Sequence, residues 1–296
     1  MQPWRTCRSC VALNVVRSKM VKGGKTWGYG VLVSLVLMRI AGGAAGEDCN
    51  FPAVYNFGDS NSDTGASSAA LGPIQWPNGE TFFGEPAGRA SDGRLIIDFI
   101  AEELGIPYLS PYLDSVESNF CHGANFAYMG VTIQEQYWPG GLPFHLGNQI
   151  AQFSQLKART IHLCKKGCKK KIISFGEFFS GFCYINYLPS KNQQVVFQYV
   201  GWVTLYDLGG RVFWIHNVGP LGCMPSAQSK MWNRREEEFD KNRCVTSWNE
   251  RVQEYNTQLK ERVIKLRAEL PEAAITYVDV YTAKYNLISN ATKLGK

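Results

Sequence analysis

The sequence predicts an α/β layer fold with a mainly parallel central sheet. Short apolar runs alternate with segments of helical period along the chain after residue 50. The clearest helix lies between two strand-like runs, and the first strand-like run ends in a turn rich in Gly, Asp, Asn and Ser. Strands separated by helices bring parallel neighbours together through crossovers.

The elements follow in order. "PAVYNF", Pro52 to Phe57, reads as a strand that leads into Gly58, Asp59 and Ser60. "RLIIDFIAEELG", Arg94 to Gly105, reads as a helix with Leu95, Ile96, Phe99, Ile100 and Leu104 on one face and Gly105 as its stop. Leu146 to Cys164 carries Ile150, Phe153, Leu156, Thr160 and Leu163 at helical spacing. "RVFWIHN", Arg211 to Asn217, is a buried strand closed by "VGPLG". Val245 to Leu270 steps by three and four through Trp248, Val252, Tyr255, Leu259, Val263, Leu266 and Leu270, and Pro271 ends it. "AITYVDV", Ala274 to Val280, is another strand, and Thr282 to Ala291 another helix. In open parallel sheets, sites form beyond the carboxyl ends of strands. Ser60 and His216 both sit at such ends.

Composition narrows the function. Hydrophobic residues make up 45% of the 296 and charged residues 19%, enough for a sizeable core. The net charge of +6 is partly local, since "CKKGCKKK" at Cys164 to Lys171 holds five lysines. That run reads as a solvated loop rather than a basic face for nucleic acid. Thr26 to Met38 is uncharged, preceded by Lys22 and Lys25 and followed by the small residues Ala41 to Gly46. These are the parts of a secretory signal, so residues 1–46 are read as an extension plus signal peptide, with synthesis starting naturally at Met20 and cleavage near Ala45 or Gly46. The remainder, 47–296, is read as one domain. An uncleaved anchor is the alternative; the apolar run is short for a span.

Secretion makes the nine cysteines readable as disulfides. Cys7 and Cys10 fall in the removed segment, and seven (9 − 2) remain, so one at least is unpaired. Cys223 and Cys244 flank a polar segment and are candidates for a bridge; Cys164 and Cys168 are close enough to pair locally. No His or second Cys pair stands at zinc-ligand spacing from "CKKGC". "NAT" at Asn290 is a glycosylation candidate.

The block "YNFGDSNSDTG", Tyr55 to Gly65, resembles the opening block of the plant GDSL esterase/lipase family. The likeness continues through "PNGETFFGEPAGRASDGRLIIDFIAEELGIPYLSPYL", "HGANFAYMGVTI", "PFHLGNQIAQF", "FWIHNVGPLGCMP" and "LPEAAITYVDVYTAKYNLISNA", so it covers most of the chain after residue 50. It is most similar to the branch with early nodulin-like and acetylesterase-like members. The resemblance implies the flavodoxin-like, three-layer fold of SGNH hydrolases. It also implies ester hydrolysis by a serine nucleophile with a histidine base and an aspartate that orients it. Ser60 matches the nucleophile, and Asp59 matches a loop-locking carboxylate. Gly130 matches the glycine whose N–H joins that of Ser60 in the oxyanion hole. Tyr128 and Met129 stand where small residues are usual, and their bulk is expected to narrow the pocket.

Two parts of the family pattern are missing. No Gly-x-Asn-Asp occurs; the corresponding region is Lys171 to Tyr187, with Glu177 and Phe178 after Phe175-Gly176. An oxyanion-hole donor is typically worth roughly 3 kcal/mol, or 10²–10³ in rate. No Asp-x-x-His occurs either, so the domain is read as C-terminally truncated. Of His122, His145, His162 and His216, only His216 is placed near a strand's catalytic end, as a substitute base. Three readings stay open: an incomplete ester hydrolase that is weak or inactive, a secreted pseudoenzyme that binds an acyl or glycosyl ligand, and a fragment without function. Serine acyl transfer needs neither metal nor organic cofactor, and none is expected. The expected partner is a small-molecule, lipid or acetylated-sugar ester. No nucleic acid is expected, nor a stable membrane span once the signal is cleaved.

Overall fold

The computed structural model describes residues 51, 53–116, 118–135, 144–163, 172–175, 191–225, 227 and 238–294. The expectations for residues 1–46, for Cys164 and Cys168 and for the stretch after Phe175 lie outside these residues. From Phe51 onward the chain is one compact unit.

Its centre is a parallel sheet of strands β1 (Val54–Phe57), β2 (Gly123–Asn125), β3 (Ile172–Phe175), β4 (Val212–His216) and β5 (Ala274–Val278), in the order β2-β1-β3-β4-β5. All four pairings are parallel. This is the flavodoxin-like order, which reverses direction between β1 and β3 and opens a crevice beyond their carboxyl ends. The turn that holds Ser60 leaves β1 at that point.

The helices are α1 (Ala66–Leu71), α2 (Ile96–Glu103), α3 (Leu146–Leu163), α4 (Lys191–Asp207), α5 (Thr246–Glu269) and α6 (Val280–Ser289). One sheet face packs Tyr55, Phe57, Phe213, Ile215 and Ile275 against Phe153 and Leu156 of α3, Trp202 and Leu205 of α4, and Leu259, Val263 and Leu266 of α5. Each such side chain contributes about 1.5–3 kcal/mol by leaving water. The rings of Phe57 and Phe126 stack at 5.1 Å, and that of Tyr55 meets Phe153 edge-on at 5.1 Å. The other face packs Val54 against Ile97 and Ile100 of α2 and Leu109, with Trp214 at the margin. These are the three layers expected. Among the described residues, no helix is long and apolar enough to cross a membrane.

Two local features fix the frame around the crevice. β2 approaches β1 so closely that a Cβ on Gly123 would lie 1.7 Å from the Val54 carbonyl oxygen, and the φ of Gly123 is +110°. Only glycine meets both conditions. Beyond β4, Cys223 and Cys244 form a disulfide that closes a 21-residue separation. Loop-closure entropy gives such a bridge about 3 kcal/mol. Replacing both cysteines by serine is therefore expected to lower unfolding free energy by about 3 kcal/mol in a urea titration; an unchanged midpoint would contradict this.

Candidate active site

β1 ends at Phe57, where its ladder with β3 also ends. Gly58 then has no strand partner in β3 among the described residues, yet its backbone is buried and both its N–H and its C=O are hydrogen-bonded. Its N–H donates to Gln149 Oε1 at 3.1 Å, and its carbonyl accepts from Gln149 Nε2 at 2.7 Å. The same carbonyl accepts from the Tyr128 N–H at 3.3 Å. Asp59 locks the next step: its Oδ1 accepts from the Asn61 N–H at 2.9 Å and from Asn61 Nδ2 at 3.0 Å, and the Ser62 N–H donates to its carbonyl. Asp59 is 1% exposed and holds the loop, as its place in the block implies. Ser60, at the outer corner of this turn, is half-buried. Neither its hydroxyl nor its N–H has a hydrogen-bond partner among the described residues.

The second segment is tied to the first by Asp63. Its carboxylate accepts from the N–H groups of Gly65 at 2.9 Å, Ala66 at 2.7 Å and Ser67 at 3.2 Å, and from the Ser67 hydroxyl. It thereby satisfies the orphan donors at the start of α1. It also accepts from the Met129 N–H at 2.9 Å. The next residue, Gly130, is exposed with φ +76°, and its N–H has no acceptor among the described residues. Below it, Asn125 Nδ2 donates to the Ser62 carbonyl and the Thr64 hydroxyl, and Asn56 Nδ2 donates to Asn125 Oδ1. The turn after β1 and the loop after β2 are thus one hydrogen-bonded body, at whose outer edge the N–H groups of Ser60 and Gly130 have no acceptor among the described residues.

Tyr128 does not narrow the crevice. It is 1% exposed and packs in a small cluster with Ala66 and Val131, its ring 4.2 Å from that of Phe144. Its bulk fills the core below the loop. Desolvation, with the Asp63 charge, raises its phenol pKa.

No described imidazole meets Ser60. His122 lies at the amino end of β2, opposite the crevice, where its carbonyl accepts from the Val54 N–H. His145 precedes α3, and its Nδ1 accepts from the Gly147 N–H at 3.1 Å. The side chain of His162 lies outside the described part. His216 ends β4, two strand spacings from β1, or roughly 9–10 Å laterally. Desolvation pushes its pKa down from 6.5 to about 4, and the Lys284 charge acts in the same direction. A base is most effective with a pKa near the working pH. His216 is therefore both displaced and weakly basic.

The same shift has a sign for stability. The unfolded chain takes up a proton at His216 near pH 6.5, whereas the folded chain refuses it until about 4. Stability is unaffected above pH 6.5 and falls as the pH drops through that window. We expect His216→Asn to flatten the slope of unfolding free energy between those values, measured by urea titration at several pH values. An equal slope in both proteins would contradict it.

A serine turn at the switch point of a parallel sheet, backed by helices on both faces, defines a hydrolase domain of the SGNH type. The chain belongs to the GDSL-like Lipase/Acylhydrolase family, whose profile matches residues 54–293. It is 48% identical over 272 residues to GDSL esterase/lipase At5g14450 of Arabidopsis thaliana, covering 83% of this chain and 70% of that protein. It is 41% identical over 292 residues to an esterase of Hevea brasiliensis, covering 90% and 73%. It is 42% identical over 273 residues to Alpha-L-fucosidase 3 of Arabidopsis thaliana, covering 84% and 73%. By family the protein is a hydrolase that acts on ester bonds.

One residue that sequence reading missed at the site is Gln149. The signal was available: position 149 falls on the apolar stripe of α3, three residues after Leu146 and four before Phe153. A polar side chain on a buried face demands a partner.

Proposed function

We propose that the chain is an ester hydrolase in which Ser60 is the nucleophile, and that these 296 residues by themselves turn over at trace rate. The observation that carries this reading is the half-buried corner at Ser60, with its own N–H and that of Gly130 unbonded among the described residues beside a buried, hydrogen-bonded frame. In the reaction, Ser60 Oγ attacks the ester carbonyl and loses its proton to solvent water, which returns a proton to the leaving alkoxide. The tetrahedral oxyanion takes the two backbone donors, and the alcohol leaves. Water then attacks the acyl-serine and frees the acid.

The slow step is the loss of the Ser60 proton. A serine hydroxyl is a weak nucleophile without a base, and the sequence holds neither Asp-x-x-His nor Gly-x-Asn-Asp. His216 does not substitute, on position and on basicity alike. The test is hydrolysis of p-nitrophenyl acetate and butyrate by the chain and its Ser60→Ala variant. The reading expects a trace rate that Ser60→Ala removes. A rate within tenfold of a complete family member would overturn the trace-rate part, and a rate unchanged by Ser60→Ala would overturn the nucleophile.

A second reading, a non-catalytic protein that binds an acyl or glycosyl ligand in the same crevice, is favoured by the same missing base and by a relative named as a fucosidase. Cooperative melting with saturable ligand binding and no Ser60-dependent turnover would select it.

Secretion is part of the proposal. The disulfide between Cys223 and Cys244 supports an oxidising compartment, and Asn290 is exposed at the end of α6, where a glycan can be accommodated. N-terminal sequencing of secreted material decides: a mature terminus near Ala45 or Gly46 fits, and recovery of Met1 or Met20 does not.

A further inference from the structure

We propose that Gln149 is a positioning residue for acyl transfer: its side-chain amide sets the register between the Ser60 turn and the Gly130 loop. This rests on the reading of Ser60 as nucleophile.

Among the described residues Gly58 has no ladder partner in β3, so without Gln149 its N–H would be orphaned in the interior, at a cost of about 1–3 kcal/mol, and its C=O would keep only the Tyr128 N–H. Gln149 supplies both missing bonds from one group, Oε1 to the N–H at 3.1 Å and Nε2 to the carbonyl at 2.7 Å. The amide imitates the strand neighbour that β1 no longer has. Gln149 is itself 1% exposed, and both ends of its amide are used. Two opposed bonds to one residue fix the orientation of the peptide planes on either side of Gly58, and Ser60 follows two residues later.

The Gly58 carbonyl is shared. It also accepts the Tyr128 N–H at 3.3 Å, and Tyr128 lies two residues before Gly130. One carbonyl therefore anchors the nucleophile turn and the oxyanion loop, and Gln149 holds that carbonyl in place from α3. The start of α3 is in turn fastened to the same loop, since the Leu146 N–H donates to the Thr132 carbonyl at 2.9 Å. Misplacement of a reacting group by about 1 Å costs about 10²-fold in rate, so a clamp at this point acts on chemistry more than on folding.

The molecule contains a built-in control. On α5, Asn256 clasps the backbone of Val218 in the same manner, accepting from its N–H at 2.9 Å and donating to its carbonyl at 2.8 Å. That clamp lies beyond β4 and holds no part of the Ser60 turn. Loss of either amide is expected to cost comparable stability, but only loss of Gln149 should slow Ser60.

The experiment uses the full chain and its Gln149→Met, Gln149→Glu and Asn256→Leu variants. Each is treated with an alkyl fluorophosphonate, which forms a Ser60 Oγ–P bond as fluoride and the serine proton leave. Intact-mass and peptide-resolved spectrometry give the rate at Ser60, and amide hydrogen exchange is followed over 57–61, 128–131 and 216–219. For Gln149→Met we expect a Ser60 rate per folded molecule down about 10²-fold. Exchange in the first two segments should rise about tenfold or more while the third stays unchanged. For Asn256→Leu we expect faster exchange over 216–219 and an unchanged Ser60 rate. Gln149→Glu adds a pH signature: a neutral carboxyl can accept and donate as the amide does, whereas a carboxylate cannot donate to the Gly58 carbonyl. Its Ser60 rate, relative to the parent chain, should recover as the pH is lowered.

Unchanged exchange over 57–61 and 128–131 in Gln149→Met would overturn the proposal, as would an equal slowing of Ser60 by Asn256→Leu. If the parent chain itself shows no adduct at Ser60, the nucleophile reading fails, and the exchange measurement alone decides the clamp.

Discussion

Supplying the two missing parts is expected to raise kcat/KM on p-nitrophenyl acetate by about 10⁴-fold or more over the 296-residue chain. The variant would carry an Asp-x-x-His segment after Lys296 and an asparagine restored to the stretch after Phe175. The magnitude follows from what each part does. A histidine base removes the proton that otherwise makes Ser60 Oγ a poor nucleophile, and loss of such a base costs up to about 10⁶ in kcat in serine hydrolases. An oxyanion donor adds about 10²–10³. The two are not additive, because the donor has nothing to stabilise until attack occurs. The frame that must receive them is already assembled: the turn at Ser60 is held by Gln149 and by Asp59, and the Gly130 loop by Asp63. A gain of less than tenfold in a cooperatively folded variant would mean that the frame itself is not competent.

Replacing Arg89 by Met should destabilise the fold by about 3–5 kcal/mol, because it strands a buried carboxylate. Arg89 Nε and an Nη of the same guanidinium donate to the two oxygens of Asp98 at 2.8 and 2.7 Å. The side chains are 8% and 0% exposed. The guanidinium also donates to the Ala87 carbonyl at 2.9 Å and lies over the Phe83 ring at 4.8 Å. Asp98 in turn accepts the Leu95 N–H at the start of α2. The pair therefore pins the long connection between α1 and α2 to the sheet face that α2 covers. Differential scanning calorimetry should show a midpoint lower by roughly 10 °C. The double variant Arg89→Met with Asp98→Leu should recover much of the loss, because no charge is then left unpaired. A single variant within 1 °C of the parent would contradict the assignment.

Much of this architecture was legible because apolar period and turn chemistry agreed. The strand at Val54–Phe57, the helix at Thr246–Glu269 ended by Pro271, and the strands at Val212–His216 and Ala274–Val278 all fall within the expected runs. β2 was not legible: it is three residues, Gly123, Ala124 and Asn125, with no β-branched or aromatic side chain to mark it. It exists because Gly123 lets the backbone lie against Val54. α4 was not legible either. Apolar residues are spread around it, and Gly201 sits inside it where a Cβ would press on Leu146 and Ile150 of α3. Packing against α3 and α5, not a stripe of its own, defines that helix.

For the candidate site, the Gly-Asp-Ser turn and Gly130 could be read from the family block, since each has a local signature. Tyr128 was misjudged, because sequence shows bulk but not direction, and the ring points into the core. His216 was found by its place at a strand end. Sequence could not tell that β3 lies between its strand and β1 or that burial weakens its basicity. Gln149 and Asp63 were missed as holders of the frame because Gln149 bonds a backbone group distant in sequence, and Asp63 adds the distant Met129 N–H to the local N–H groups of Gly65, Ala66 and Ser67.

The most direct test of the central claim is to trap the acyl-enzyme. The completed variant is mixed with p-nitrophenyl butyrate, quenched in acid within the burst, digested and sequenced by mass spectrometry. The account predicts a butyryl group on the peptide that contains Ser60, absent after Ser60→Ala together with turnover. A butyryl group on another residue, or full turnover in Ser60→Ala, would contradict it.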